Sequence, residues 1–283
     1  MAAINPLRRA LSRHSLPYLA MWATRRAWRM LTKRWRRLPD FLIIGGQRCG
    51  TTSLYNYLVE HPGVAPAFVK EVHFFDNRFE KGPGWYRAHF PLGGSKVTGE
   101  SSPYYLFHPH APRRAFATVP GARLIVLLRN PIERAISQYH HQVRMGLETL
   151  SFEAALDKEA RELAGEQERM EADEGYHSPL HQAYSYLARG IYVDQLGAWL
   201  RYYEREQMLI LRSEDLYADP PATLARTTAF LGLPAWSPDS YPRYNRGDYA
   251  ELSAAMRRRL GDYFEPHNQR LYEFLDIDFG WQL

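Results

Sequence analysis

A glycine-rich segment near residue 50 carries the clearest chemical signal in the chain. Residues 45–52 read GGQRCGTT, directly after the apolar run FLIIG and directly before the helical pattern SLYNYLVEH. Glycines let the backbone approach an anion closely, and the N–H groups that open a helix point at it with the positive end of the helix dipole. Thr51 and Thr52 add hydroxyl donors. The segment therefore predicts a phosphate-binding loop, with an unliganded strand-to-helix turn as the alternative.

The cation of this loop stands at an unusual position. The spacing from Gly45 to Gly50 matches the start of the nucleotide-triphosphatase phosphate loop, but Thr51 stands where that motif has Lys. Arg48 supplies the cation instead, and a guanidinium can bind phosphate or sulfonate oxygens in a bidentate way. Cys49 beside it is either a small residue that fills the turn or a nucleophile activated by the helix N-terminus. The residues expected to contact the ligand are Gln47, Arg48, Cys49, Gly50, Thr51 and Thr52.

A second reactive segment, KEVHFFD, spans residues 70–76. A carboxylate beside aromatic bulk loses solvation, which raises its pKa towards the range of a useful general base. Glu71 is therefore the candidate base. If the segment is extended, His73 points to the same side and can orient Glu71 or share its proton. A surface loop with solvated charges is the alternative.

The third segment, LLRNPIERAISQY, places Arg129 just past a buried strand and Ser137 two turns into the following helix. Both can face the crevice at the end of the sheet and bind a second phosphate. Arg134 is the competing choice, although within the helix it can pair with Glu133. Together with the first loop, this segment predicts a ligand that carries phosphates at two ends.

Strands that alternate with helices must position these residues. The run RLIVLL at residues 123–128 is typical of a buried parallel strand, and FLIIG, KVTGE and QMLILR suit further strands. The alternation predicts an α/β fold with a parallel sheet and a site at its carboxyl edge. We further expect one long helix over residues 180–204, an exposed helix or mobile loop over residues 157–175, and two helices after about Leu252.

Composition narrows the function classes. The 283 residues include 36 Lys and Arg against 31 Asp and Glu, a formal charge of +5, which favours anionic ligands. Cys49 is the one cysteine, so no intramolecular disulfide can form and a reducing compartment fits. His108, His110, His140 and His141 lack a convincing set of partner ligands, so we expect no metal and place them at the surface or facing the acceptor. Nothing indicates nucleic acid.

Residues 1–38 form a basic, aromatic extension ahead of a main domain at residues 39–283. The extension has no run near the ~20 apolar residues that a membrane span needs. A basic aromatic helix can lie on an anionic membrane surface or pack on its own domain, and the sequence leaves both open. We expect a cytoplasmic protein, with peripheral membrane contact through this extension.

Taken together, the three motifs resemble those of the PAPS-dependent sulfotransferases, most closely the branch with the heparan sulfate N- and 3-O-sulfotransferases. The resemblance runs from about Phe41 to the C-terminus and implies a P-loop-like three-layer fold with a central parallel sheet flanked by helices. GGQRCGTT resembles the 5′-phosphosulfate loop, with Arg48 where Lys is usual. LLRNPIERAISQY resembles the 3′-phosphate site, which assigns that phosphate to Arg129 and Ser137.

The resemblance also implies roles around the acceptor. EVHFFD resembles the 3-O-sulfotransferase segment with the catalytic base, which gives that role to Glu71 with support from His73 and Asp76. His141 matches a functional histidine of the N-sulfotransferases. Glu100 falls where the 3-O enzymes have a Glu-Lys pair that contacts the acceptor, but Ser101 replaces the Lys. The stretch YPRYNRGDY stands in for a disulfide-closed loop, with Arg243 or Arg246 closing over the donor.

The implied reaction moves a sulfonate group from 3′-phosphoadenosine 5′-phosphosulfate (PAPS) to a hydroxyl or amine of an acceptor, with a carbohydrate as the first choice, and releases 3′-phosphoadenosine 5′-phosphate (PAP). A glycolipid or a small hydroxylated metabolite is the alternative acceptor. A nucleotide-dependent phosphotransferase is the nearest other enzyme, but the chain lacks the P-loop Lys. A non-catalytic protein that binds anionic glycans or membrane surfaces is the alternative from another class, and Glu71 argues against it because a binding module needs no desolvated base.

Overall fold

A parallel sheet flanked by helices organises the chain. The computed structural model describes residues 16–244, 247 and 252–281; residues 1–15 of the extension and Arg246 lie outside the described residues. The strands are β1 (Phe41–Gly45), β2 (Val64–Pro66), β3 (Val97–Ser101), β4 (Arg123–Leu128) and β5 (Met208–Arg212). The helices are α1 (Leu16–Leu31), α2 (Thr51–Glu60), α3 (Gly82–Arg87), α4 (Ala111–Thr118), α5 (Pro131–Arg144), α6 (Phe152–Glu162), α7 (Glu166–Ala172), α8 (Pro179–Ala183), α9 (Tyr192–Leu200), α10 (Ser213–Ala218), α11 (Pro220–Phe230) and α12 (Ala254–Leu275).

The strand order is β2-β3-β1-β4-β5, and all neighbouring strands are parallel. β1 occupies the centre, with Phe41 opposite Gly99 of β3 and Ile43 opposite Ile125 of β4. Parallel neighbours require crossover connections, which carry helices over the faces of the sheet. The predicted parallel sheet is confirmed, and its carboxyl edge brings together the segments that follow β1, β3 and β4.

Buried side chains cover both faces of the sheet. Along β1, Leu42 and Ile44 enter one core and Phe41 and Ile43 enter a second. All four are fully buried. Burying a side chain of this size stabilises the fold by roughly 1.5–3 kcal/mol. The alternation places a packed layer on each side of the sheet, so the three-layer α/β architecture is confirmed.

The single long helix expected over residues 180–204 is wrong. The chain forms α8, a short 3₁₀ turn and then α9. Two buried arginines hold this break: Arg189 donates to the carbonyl of His181, and Arg134 donates to the carbonyl of Tyr186. These contacts satisfy backbone oxygens that a continuous helix would have used itself. Tertiary packing therefore overrides the local helical pattern.

The two helices expected after about Leu252 form a single helix, so this prediction is also wrong. α12 runs through Pro266 without ending there. Phe264 and Leu271, before and after the proline, are both buried. A proline inside a helix removes one backbone hydrogen bond, which the packing of this continuous apolar face outweighs.

The charged stretch at residues 157–175 is ordered as the end of α6 and as α7. Of the two expectations, an exposed helix or a mobile loop, the structure shows helix, but the helices are not fully exposed. Glu159 is buried and accepts hydrogen bonds from the backbone N–H groups of Leu187 and Ala188. Glu166 is buried against Ser178. Glu159 therefore caps neighbouring backbone, whereas Glu166 accepts hydrogen bonds from the side chains of Ser178 and Tyr176.

Candidate active site

The glycine-rich loop joins β1 to α2 at the centre of the sheet. Gly50 directly precedes α2 with φ 93°, in the left-handed region that favours glycine. A Cβ atom there would lie 2.9 Å from Leu216 Cδ2 and 3.0 Å from the hydroxyl of Tyr217. A side chain at this position would therefore clash, and glycine permits the tight entry into α2. The first N–H groups of α2 are left for an anion, as the sequence predicted.

A cavity of about 320 Å³ opens beside this loop and gathers the three sequence motifs. Its lining includes many residues that were predicted to bind or react, namely Gln47, Arg48, Gly50, Thr51, Thr52, Glu71, Arg129, Ser137, His141 and Arg243. We call it the donor cavity. Its lining also includes Pro103, Tyr217, Tyr244 and Gly247, which the sequence reasoning missed.

Arg48 and Arg129 lie next to each other in the donor cavity. Arg48 Nε donates to Ser137 Oγ at 3.1 Å, and Arg129 Nη1 donates to the Arg48 carbonyl at 3.3 Å. The Arg129 guanidinium also lies 3.8 Å from Glu133. Arg134 is fully buried and donates to Gln138 Oε1, so it cannot serve as the alternative phosphate ligand. Arg129, and not Arg134, presents the second cation of this site.

The Cys49 side chain is fully buried and lies behind the loop. Burial raises the pKa of the thiol to about 11, although nearby Arg134 and Arg129 act in the opposite direction. A protonated, enclosed thiol is a poor nucleophile, which supports the turn-filling interpretation. The Cys49 backbone N–H donates to the Gly46 carbonyl at 3.2 Å. The Cys49 side chain does not line the cavity, so a contribution of Cys49 to ligand binding stays a prediction for the loop backbone.

Glu71, His73 and Asp76 form a hydrogen-bonded chain beside the donor cavity. Glu71 Oε2 lies 3.3 Å from His73 Nε2, and His73 Nδ1 lies 2.6 Å from Asp76 Oδ2. Lys70 Nζ contacts Glu71 Oε1 at 2.6 Å. Glu71 reaches the cavity, whereas His73 and the buried Asp76 stand behind it. His73 therefore lies between two carboxylates, of which Glu71 alone lines the cavity.

The backbone of this segment is not extended as expected. Glu71 and His73 have φ values of 61° and 55°, which are uncommon for residues with side chains. Neighbouring groups hold the conformation: Glu71 N donates to the Ser101 carbonyl and His73 N donates to Ser102 Oγ, each at 3.2 Å. Strained conformations persist where surrounding contacts over-determine them, and they cluster at functional sites.

The pKa expected for Glu71 is wrong in direction. Burial favours a raised pKa, but the His73 hydrogen bond and the Lys70 charge outweigh it and lower the pKa of Glu71 to about 2. For His73, burial acts downward, while hydrogen bonds to Asp76 and Glu71 raise the pKa to about 10. The aromatic neighbours Phe74 and Phe75 pack into the core, so Glu71 faces cations instead. At neutral pH the pair is a carboxylate and an imidazolium.

Glu100 supports this segment from inside the protein. It is fully buried, and its oxygens accept hydrogen bonds from Ser102 Oγ at 2.6 Å, the Tyr86 hydroxyl at 2.8 Å, the Tyr105 hydroxyl at 2.9 Å and Val72 N at 3.1 Å. Burial raises the pKa of Glu100. The acceptor contact implied for Glu100 is therefore wrong, since its carboxylate is enclosed and anchors the backbone next to Glu71.

Two further predicted residues close the donor cavity. His141 lies on its wall, and burial together with Arg48 lowers the pKa of the imidazole, which favours the neutral form. Arg243 extends over the Tyr217 ring at 5.2 Å from its centroid and donates to the Tyr217 carbonyl. Tyr217 comes from a distant segment with no motif of its own, so only the folded structure could reveal it. Tyr244 was not singled out either, but it lies in the stretch YPRYNRGDY that was expected to close over the donor.

The remaining histidines do not form a metal centre in the described part of the chain, where no group of three or more His, Cys, Asp or Glu residues could hold an ion. His108 is buried rather than on the surface, and burial lowers its pKa to about 2. None of the described helices is long and apolar enough to cross a bilayer.

A parallel sheet with a glycine-rich loop after its central strand, and an arginine and a serine after the neighbouring strand, is the arrangement of a P-loop-like fold. The family model described as a sulfotransferase domain matches residues 38–244. The chain therefore belongs to the sulfotransferase family.

Similar proteins of known identity agree with this assignment. The chain is 31% identical to human heparan sulfate glucosamine 3-O-sulfotransferase 6, over 87% of this chain and 74% of that protein. It is 27% identical to the membrane-associated sulfotransferase kil1 of Dictyostelium discoideum, over 87% of this chain and 67% of that protein. The bifunctional heparan sulfate N-deacetylase/N-sulfotransferase 1 of Caenorhabditis elegans is 30% identical, over 85% of this chain but 30% of its own length.

A solved structure shares the fold. The sulfotransferase from Alicyclobacillus acidocaldarius superposes with a TM-score of 0.68 at 30% identity, and the match covers 86% of this chain and 98% of that one. The P-loop-like fold and the sulfotransferase class expected from the sequence are both confirmed.

Proposed function

We propose that this enzyme transfers the sulfonate group of PAPS to a hydroxyl or amine of a carbohydrate, with Glu71 as the general base. The observation that carries the proposal is that Glu71 lines the same cavity as Arg48 and Arg129. A carboxylate repels a nucleotide phosphate, so Glu71 is not suited to bind the donor. Its place in the same cavity is explained if it contacts the acceptor. Relatives named for heparan sulfate support a carbohydrate acceptor.

The donor would lie across the loop and the end of β4. Arg48, the N–H groups that open α2, and the hydroxyls of Thr51 and Thr52 are placed to hold the 5′-phosphosulfate. Arg129 and Ser137 would hold the 3′-phosphate. Gln47, Tyr217, Tyr244 and Arg243 are then left to enclose the nucleoside, and the flat tyrosine rings suit a purine base. No metal ion is part of this proposal.

The reaction would proceed by in-line attack. The acceptor oxygen or nitrogen forms a bond to sulfur while the bond between sulfur and the 5′-phosphate oxygen breaks, and PAP leaves with the electron pair. Arg48 and the loop N–H groups would stabilise the charge that develops on the leaving oxygen, as in phosphoryl transfer. The acceptor proton passes to Glu71.

The low pKa of Glu71 sets the timing of this proton transfer. A carboxylate with a pKa of about 2 cannot remove a proton from a free hydroxyl at neutral pH. As the new bond to sulfur forms, the acceptor proton becomes strongly acidic and Glu71 can accept it. His73, held between two carboxylates, would fix the orientation of Glu71. Neutral His141 on the same wall is a second candidate for proton acceptance.

The domain division and the cellular location expected from the sequence remain predictions. The division into an extension at residues 1–38 and a sulfotransferase domain at residues 39–283 is proposed here on the start of the family match at residue 38. The cytoplasmic location gains no support from the similar proteins, one of which is membrane-associated. A glycolipid or a small hydroxylated metabolite is the acceptor to examine next if carbohydrates fail.

The test combines ligand binding with turnover. Calorimetry should show PAP binding more tightly than adenosine 5′-phosphate or ATP with Mg²⁺. Oligosaccharides of alternating uronic acid and glucosamine, with free or sulfated amino groups, should then accept label from radioactive PAPS. Glu71→Gln should keep PAP binding and lower turnover by about 10²- to 10⁴-fold. His141→Ala is compared with it, because His141 is the second candidate for proton acceptance. Unchanged sulfation by Glu71→Gln would remove Glu71 as the base, and a preference for ATP with Mg²⁺ would indicate a phosphotransferase.

A further inference from the structure

A second cavity, also of about 320 Å³, shares Glu71 with the donor cavity. We call it the second cleft. One wall is α1, through Trp22, Arg26 and Arg29, and the opposite wall includes Lys81 and Trp85. Because Glu71 borders both spaces, a molecule in the second cleft would reach the carboxylate from the side not occupied by the nucleotide.

The α1 wall is fixed to the body of the protein. Arg29 Nη1 donates to the backbone carbonyls of Ala88 at 3.1 Å and Phe90 at 2.9 Å, and burial lowers the pKa of Arg29 to about 10 without removing its charge at neutral pH. The Trp22 ring stacks on Phe68 with centroids 5.7 Å apart. Of the two roles left open for the extension, packing on its own domain is therefore seen for α1.

The second cleft combines positive charge with aromatic faces. Its cations come from both walls, and they are Arg26, Arg29, Lys70, Arg78 and Lys81. Glu71 is the one carboxylate among the described residues that line it. Clusters of cations select anionic groups, and aromatic rings offer a flat surface to the apolar face of a sugar ring.

We propose that α1 builds one wall of the acceptor site, and that Trp22 and Arg26 contact an anionic sugar whose hydroxyl or amine points at Glu71. Arg26 is exposed and lies over the half-buried Trp22 ring, 5.3 Å from its centroid, so the two side chains present one cationic and aromatic surface to a ligand. Both precede residue 38, where the family match begins, so this contribution comes from outside the matched domain. The inference rests on the proposed function, because it requires Glu71 to face the acceptor.

A membrane surface is the competing occupant of α1. Trp28 and Leu31 of this helix are 57% and 76% exposed, as expected for a helix that rests on lipid. The shape of the second cleft favours the sugar instead. Its cations line a concave space that ends at Glu71, which a flat bilayer cannot enter, whereas an extended chain of sugars can.

The test uses matched pairs of variants on α1. Trp22→Ala and Arg26→Ala alter the second cleft, while Trp28→Ala and Arg25→Ala remove the same residue types from exposed positions outside it. Each full-length variant, saturated with PAP, is titrated with a sulfated uronic acid–glucosamine hexasaccharide. We expect about fivefold weaker binding for each cleft variant, in the range of a partly exposed ion pair or ring contact. The controls should stay within twofold of the unaltered protein, and PAP affinity should not change in any variant.

The outcomes separate this inference from the proposed function. If the cleft variants bind the hexasaccharide normally while PAP binding and Glu71-dependent turnover persist, the role of α1 is wrong and the proposed function stands. If the unaltered protein does not bind PAP, the proposed function itself fails. Equal losses in the controls would indicate a general basic surface and overturn the inference. Vesicles of phosphatidylserine and phosphatidylcholine complete the test: loss of vesicle binding by Trp28→Ala, with normal hexasaccharide binding by Trp22→Ala and Arg26→Ala, would assign α1 to the membrane and overturn the inference.

Discussion

Arg129 allows the donor assignment to be tested with a difference between two ligands. The Arg129 side chain is 23% exposed and follows the end of β4 in the donor cavity, and its guanidinium donates to the Arg48 carbonyl at 3.3 Å. PAP and adenosine 5′-phosphate differ by the 3′-phosphate alone. Replacing Arg129 by Ala removes the Arg48 contact for both ligands, but removes a phosphate contact for PAP only. The difference between the two losses isolates the 3′-phosphate interaction.

The size of this difference follows from the setting of the guanidinium. A hydrogen bond to a charged group contributes about 1.5–3 kcal/mol. Because the Arg129 side chain keeps some access to water, we take about 2 kcal/mol, which corresponds to about 30-fold in the dissociation constant. Arg129→Ala should therefore weaken PAP binding by about 30-fold more than it weakens adenosine 5′-phosphate binding.

Each of the two ligands is titrated by calorimetry into the unaltered protein and into Arg129→Ala. The four dissociation constants give the difference between the two losses. Arg161→Ala is the matched control, since Arg161 is an exposed arginine of α6 and does not line the donor cavity. It should weaken both ligands equally and only slightly. An equal loss for both ligands in Arg129→Ala would refute the reasoning, because Arg129 would then act by supporting the loop at Arg48 and not by binding the 3′-phosphate.

Two predictions concern the segment behind Glu71. The pKa of His73, raised from 6.5 to about 10, gives stability that is complete below pH 6.5 and is lost as the pH rises through about 10. Asp76→Asn lowers that pKa, so its destabilisation, measured by thermal unfolding across pH 6 to 10, should be largest at pH 6 and shrink as the pH rises; a constant loss would contradict the pKa assignment. Glu100→Gln replaces the carboxylate by an amide, whose NH₂ group would face the buried hydroxyl donors of Tyr86, Tyr105 and Ser102. The substitution should therefore lower the free energy of unfolding, measured in urea, by about 2–5 kcal/mol. A loss below about 1 kcal/mol would show that the Glu100 contacts do not hold this segment.

The sheet and its loop were predictable because their signals are local. The run RLIVLL predicts β4 from its own apolar residues, and Gly50 marks the turn before α2 through its own backbone freedom. Parallel strands end at one edge, so Arg129 could be placed near Arg48 without knowing any contact between them. The break within residues 180–204 was not predictable, because it depends on Arg134 from a different helix.

The chemistry of Glu71 was harder to predict than its position. Its neighbours in sequence include two phenylalanines, which suggested desolvation and a raised pKa. The turn at Glu71 instead directs the phenylalanines into the core and the carboxylate towards Lys70 and His73. That turn is held by Ser101 and Ser102 from the end of β3, a long-range contact that the local sequence does not report.

The position of α1 has a consequence for how this enzyme could change over time. The donor cavity is built on the central strands β1 and β4, whose pairing a mutation can hardly alter without unfolding the sheet. α1 instead precedes the first strand and meets the body mainly through surface contacts such as those of Arg29. A helix that lies outside the sheet can be replaced or lengthened with little effect on the core. If α1 forms a wall of the acceptor site, as proposed above, acceptor choice can change through this helix while the cavity at the centre of the sheet stays the same.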